Sequence, residues 1–166
     1  MTAHEKPVGA TVEWYTPPEL FDRLGGLVFD LDPAAAPLDS VAYVPARRRY
    51  DRALDGLSRE WVGHVWLNPP YGREAIPFID RMIAHGDGLL LLPSRTETAA
   101  YQRCLYTADA VCLLRDRLWF VRSDGFKGRS SFGSTLFAFG GWAVAALSNA
   151  ELGWTLRKSG LVEKVA

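Results

Sequence analysis

Short apolar runs alternate with segments of helical spacing along most of this chain, and that rhythm predicts its elements. Leu20, Phe21 and Leu24 share one helical face, so residues 17–24 read as a helix capped by Thr16 and ended by Gly25-Gly26, with Pro17 and Pro18 tolerated in its first turn. Residues 27–32 read as a buried strand running into Pro33. Residues 42–56 have no clean period and read as loop, with a short strand at 41–44. Val65, Trp66 and Leu67 make the next strand. In 74–84 the apolar residues Ile76, Phe78, Ile79, Met82 and Ile83 recur at helical spacing, and His85-Gly86 closes that helix. A strand at 88–93, a helix at 97–105 and a strand at 110–114 follow. Residues 118–121 and 135–139 flank a polar loop, 122–134, and are expected to pair as an antiparallel hairpin at one sheet edge. A short helix is expected at 143–147 and a surface element at 152–158. The expected fold class is α/β, with a mostly parallel sheet covered on both faces.

Composition narrows the picture. The 166 residues are 48% hydrophobic and 12% aromatic, which fits one domain, residues 13–166, preceded by a flexible polar stretch, residues 1–12. Nineteen basic side chains balance nineteen acidic ones, so any nucleic-acid surface has to be a local patch. Cys104 and Cys112 are too few for a disulfide scaffold or a cysteine zinc site and read as small core residues in a reducing cytoplasm. No stretch approaches the ~20 apolar residues of a membrane span, so a soluble, intracellular protein is expected.

Two constellations carry chemistry. Asn68-Pro69-Pro70-Tyr71 closes the apolar run Val65-Trp66-Leu67, and ligands of open α/β sheets bind at such strand ends. The grouping suits methylation of a planar exocyclic amine, whose nitrogen lone pair is delocalised into its ring. The Asn68 side-chain oxygen can accept one N–H and the Pro69 carbonyl the other, while Tyr71 offers a stacking face. An Asn-Pro-Pro turn is also ordinary punctuation after a strand. The second constellation is Asp32-Pro33-Ala34, a carboxylate at a strand end followed by small residues that let a ligand approach the backbone; its plain reading is an Asx-type turn. Trp14-Tyr15-Thr16-Pro17 sets two aromatics before a turn, where they either pack beside a bound adenosine or cover the sheet edge. Neither GxGxxG nor a Walker-type loop is present.

The ordered set of motifs resembles the phage-type DNA N6-adenine methyltransferases over residues 14–140. Its blocks are Trp14-Tyr15-Thr16-Pro17-Pro18-Glu19-Leu20-Phe21, the run from Phe29 to Ala35, Trp66-Leu67-Asn68-Pro69-Pro70-Tyr71, and Leu91-Leu92-Pro93-Ser94-Arg95-Thr96-Glu97-Thr98. Arg117-Leu118-Trp119-Phe120 and Phe132-Gly133-Ser134 follow. The chain departs from the family's pattern after Thr98, where Ala99-Ala100 stand before Tyr101. The resemblance implies a Rossmann-like methyltransferase sheet, S-adenosylmethionine as cofactor, DNA as partner and no metal. It implies catalytic roles for Asn68, Pro69, Pro70 and Tyr71, and cofactor contacts from Trp14, Thr16, Pro17, Asp32, Pro33 and Ala34.

For the substrate surface, Arg95, Thr96, Lys127 and Arg129 are the candidates, with Arg115, Arg117, Arg122 and the cluster Arg47-Arg48-Arg49 as further basic groups. The same Asn-Pro-Pro-Tyr element would serve cytosine N4 or protein glutamine methylation, since each presents a planar amine. A catalytically inactive binding module on the same sheet is the remaining alternative.

Overall fold

The computed structural model describes residues 14–40, 43–122 and 124–158. Residues 1–12, expected to be flexible, and part of the strand expected at 41–44 lie outside them.

Four parallel strands form one half of the main sheet: Phe29–Asp32 (β1), Ala46–Arg49 (β2), Val65–Leu67 (β3) and Gly88–Pro93 (β4), in the order β2-β1-β3-β4. Ser134–Phe139 (β8) lies antiparallel beside β4, Ala110–Leu114 (β5) antiparallel beside β8, and Gly153–Arg157 (β9) antiparallel at the far edge. Five of the seven strands therefore run one way, as the alternating pattern implies. Their side chains alternate across the sheet. Phe29, Trp66, Leu89, Leu91, Leu136 and Ala138 face a core shared with Pro18–Arg23 (α1) and Gly140–Asn149 (α4). Leu31, Val65, Leu67, Leu90, Leu92 and Phe137 face the other, shared with Ala75–His85 (α2) and Ala99–Thr107 (α3). Both cysteines are buried and free.

Several expectations need correction. The sequence reading paired 118–121 with 135–139, but Trp119–Val121 (β6) pairs with Lys127–Arg129 (β7) in a separate two-stranded sheet. The all-buried Ser134–Phe139 segment goes to the middle of the main sheet, where both its faces meet apolar neighbours. Residues 42–56 are not all loop: β2, with its three arginines, has an aperiodic pattern because it is an edge strand, bonded among the described residues to β1 alone. Thr16 does not cap α1. Pro17 holds the cap position, its carbonyl accepts from Leu20 N, and Pro17 and Pro18 have no N–H for a cap to satisfy. Further on, α3 starts at Ala99 because Thr98 caps it, accepting from Tyr101 N, and residues 152–158 contain the edge strand β9.

Candidate active site

Parallel pairing brings the carboxyl ends of β1, β2, β3 and β4 to one edge of the sheet. Asp32 ends β1, Arg49 ends β2 and Asn68 follows β3. In front of them lies a cavity of about 550 Å³, lined by Trp14, Thr16, Asp32, Pro33, Ala34 and Arg49 and by all four residues of the Asn68–Tyr71 turn. A second cavity of about 650 Å³ lies on the other side of that turn, between β4, α3 and the β6-β7 hairpin. Its walls include Arg95, Tyr101, Phe120, Arg129 and Phe132. Trp14, Pro69, Pro70 and Tyr71 belong to both walls. These four residues thus stand between the two cavities.

The N-terminal segment is held there by backbone bonds: Tyr15 N donates to Val121 O (2.7 Å) and Val121 N to Tyr15 O (3.0 Å). This clips residues 14–16 to the hairpin. Trp14 then packs against Gly128, where a Cβ would overlap its ring. Thr16, 1% exposed, accepts a hydrogen bond at its Oγ1 from Asn68 Nδ2 (3.2 Å). That bond occupies the amide's donor end and leaves Oδ1 with no donor among the described residues. Tyr71 is 56% exposed, an aromatic face left bare at the partition.

Asp32 is 3% exposed, and its Oδ1 accepts a hydrogen bond from Ala34 N (3.2 Å). Burial pushes its carboxyl up to about 7, against the Ala34 N–H and the positive charge of Arg49, which both pull it down. Arg49 is the Cα partner of Asp32 across the two strands, yet the two make no ion pair, and Arg49 Nη1 is buried with no hydrogen-bond partner among the described residues. The loop after β2 closes the floor. Gly56 is packed so tightly that a Cβ there would overlap the Pro33 carbonyl, and Trp61 Nε1 donates to Gly56 O (2.8 Å).

Other residues singled out in the sequence fall elsewhere. Pro17 lines neither cavity. Thr96 lies in the turn before α3, where its carbonyl accepts from Gln102 Nε2. Lys127 makes an ion pair with Glu19 (2.9 Å), and Arg122 one with Asp124 (2.9 Å). Arg129 and Arg95 reach the second cavity, with their guanidinium groups over the rings of Trp119 and Phe132. Tyr101, whose position breaks the family pattern, is a buried core residue donating to or accepting from Thr135 Oγ1 (2.7 Å). Sequence reasoning missed Tyr43, Asp51, Asp55, Gly56 and Phe78 as cavity residues, and saw Arg49 only as part of a basic cluster. The Asp55-Gly56 dipeptide was the one local signal, a turn marker, and Asp55 does adopt a positive φ of 50°. Among the described residues no three His, Cys, Asp or Glu side chains gather as metal ligands, and no helix is long and apolar enough to cross a membrane.

A β1 carboxylate and a β3 amide-proline turn facing one cavity, on a sheet of this topology, define a Rossmann-like α/β protein of the methyltransferase type. Residues 5–141 match the model of the family described as DNA N-6-adenine-methyltransferase (Dam), and the chain belongs to that family. It is 36% identical over 106 residues to the DNA N-6-adenine-methyltransferase of Escherichia phage T1. That match takes in 59% of this chain and spans 42% of the phage protein's length. No solved structure was found to match the chain.

Proposed function

We propose that this protein transfers a methyl group from S-adenosylmethionine to the N6 amine of adenine in DNA, acting in the cytoplasm. The observation that carries this reading is the position of Pro69, Pro70 and Tyr71 between two cavities, one walled by Asp32 and Arg49 and the other by arginines and aromatic rings. Direct group transfer needs donor and acceptor held in contact and in line, which two sites that meet at one element allow.

The first cavity suits the cofactor. It offers a buried acceptor in Asp32, a cationic side chain in Arg49, and aromatic surface in Trp14 and Tyr43. When bound, the cofactor supplies an activated methyl group on a sulfonium, which leaves as a neutral thioether. Trp14, Thr16, Asp32, Pro33, Ala34 and Arg49 would hold it.

The second cavity suits a base turned out of the duplex, with Tyr71 as its stacking face and Arg95 and Arg129 near the phosphates. Thr16 keeps the Asn68 amide turned so that Oδ1 accepts one N–H of the amine. The Pro69 carbonyl, with no hydrogen bond from the described residues, accepts the other. Two acceptors placed for a tetrahedral nitrogen favour the transition state over the planar ground state. The amine proton displaced by methylation would pass to water, since Asn68 is too weak a base to keep it.

The test is incubation of unmethylated DNA with isotope-labelled cofactor, followed by mass spectrometry of the nucleosides. Label in N6-methyladenine supports the reading. Label in N4-methylcytosine, or none in DNA while a protein glutamine is labelled, would replace the substrate.

A further inference from the structure

The strand Gly153–Arg157 (β9) closes the main sheet at the edge far from β2, lines neither cavity, and has no described strand on its outer side. Its inner side is occupied. Arg115 N donates to Leu152 O (3.0 Å) and Lys158 N to Asp109 O (3.0 Å), so the even-numbered residues turn their backbone groups to β5. In an antiparallel ladder the alternate residues turn theirs the other way. The N–H and C=O groups of Gly153, Thr155 and Arg157 therefore make an open row along the edge.

Folds usually blunt such an edge with a proline, a bulge or an outward charge. β9 runs in unbroken register with β5, and its one charged residue, Arg157, donates to Ser148 Oγ (2.9 Å) on α4. The edge is apolar instead. Trp154 is 79% exposed and Leu156 46%, with Leu113, 41% exposed, opposite Trp154 on β5. Val111, opposite Leu156, belongs to the core shared with α2 and α3, so these side chains continue that face beyond the helices.

The strand's own symmetry says what fits. Rotated about an axis normal to the sheet at Thr155, β9 meets itself antiparallel: Thr155 faces Thr155, and Gly153, with no side chain in the way, faces Arg157. The open row then closes on itself, and Trp154 lies opposite Leu156 of the second copy. Charge agrees, because Glu151 precedes the strand while Arg157 and Lys158 end it, so antiparallel copies set acidic ends against basic ones. We propose that β9 is a homodimerisation edge, at which two copies of this chain join into one continuous sheet. The contact buries on the order of 1,000 Å² in total, the lower end for a specific interface, which makes the dimer a weak one. The axis sends the carboxyl ends of β1 to β4 in the two copies to opposite edges, so each copy keeps its own pair of cavities.

The experiment is sedimentation velocity of the full chain over about 1–200 µM, which should show a monomer–dimer equilibrium with a Kd of about 1–100 µM. Thr155→Pro removes an N–H that points outward and leaves the bonds to β5, so the variant should keep a cooperative melt by circular dichroism while its Kd rises at least about 10-fold. Two double variants test the register, and they decide alone if Thr155→Pro does not fold. Trp154→Lys with Leu156→Lys, and Trp154→Glu with Leu156→Glu, should each be monomeric by themselves and form a mixed dimer when combined. Wild type that stays monomeric over the whole range overturns the inference, as does a dimer that folded Thr155→Pro leaves intact, or Lys and Glu variants that do not combine. Dimerisation only after removal of residues 159–166 would give the edge to the chain's own C-terminus and overturn it as well.

Discussion

At Asp32 the stability of the fold meets the ligand binding proposed for this cavity. Its carboxyl is lifted from 3.8 to about 7, first by burial, so the folded chain holds this proton more tightly than the unfolded chain does. A group with that sign stabilises the fold below its unfolded value, and the contribution is lost as pH rises through about 7. Thermal denaturation of the unliganded protein from about pH 5 to about pH 8 should therefore show wild type losing ground relative to Asp32→Asn. Parallel curves for the two proteins would remove this account of Asp32. Binding of donors to the ionised carboxylate should reverse the trend for the cofactor, whose affinity is expected to rise over the same range. Tyr71 separates ring from hydroxyl. Tyr71→Phe keeps the exposed stacking face and should turn over at close to the wild-type rate, whereas Tyr71→Ala should lose roughly 1–3 kcal/mol of base stacking, read as weaker DNA binding and slower methylation. Equal damage from both substitutions would assign the role to the hydroxyl.

Among the elements, those with a strong local period were legible in the sequence and those fixed by remote pairing were not. The runs Val65–Leu67, Gly88–Pro93 and Ala110–Leu114 are bounded apolar segments and lie where the pattern puts them. The helix Ala75–His85 follows from its apolar face and closes at Gly86, in the left-handed conformation with φ 73°. By contrast, nothing local in Ser134–Phe139 says that it inserts between β4 and β5, because that choice depends on which strands need a second neighbour. β2 was hidden for the opposite reason: a strand of alanine and three arginines at an edge has no apolar face to announce it. The candidate site divides the same way. Asn68, Pro69, Pro70, Tyr71 and Asp32 stand at the ends of legible strands, while Arg49, Asp55 and Gly56 come from the aperiodic segment and acquire meaning from what they face. Gly56 tests that segment. Gly56→Ala should displace the Pro33 carbonyl or its own loop, weakening S-adenosylhomocysteine binding at least 10-fold by calorimetry with a smaller effect on DNA binding. An unaffected cofactor affinity would mean that the loop does not shape the cavity.

At the scale of the whole molecule, a net charge of zero makes the proposed DNA binding a question of placement. Arg95 and Arg129 stand at the second cavity beside exposed aromatic rings, while Lys127 is tied to Glu19. Replacing Lys127 and Arg129 together by Ala should weaken binding to all duplex sequences alike and flatten its salt dependence, with Arg129 responsible for most of the change. A salt slope equal to wild type would return the hairpin to plain solvated surface. The two cavities and their shared partition make a sharper demand, because they separate binding from chemistry. Asn68→Ala leaves both prolines, the strand and the Asp32-Arg49 floor in place and removes one acceptor of the amine. The most direct test is the single-turnover rate of adenine methylation in DNA by Asn68→Ala, measured beside its affinity for S-adenosylhomocysteine. The account predicts a rate lowered by about two orders of magnitude or more with cofactor affinity within about threefold of wild type. Near-normal methylation by Asn68→Ala, with the cofactor bound as in wild type, would contradict the assignment of the Asn68–Tyr71 turn as the catalytic element.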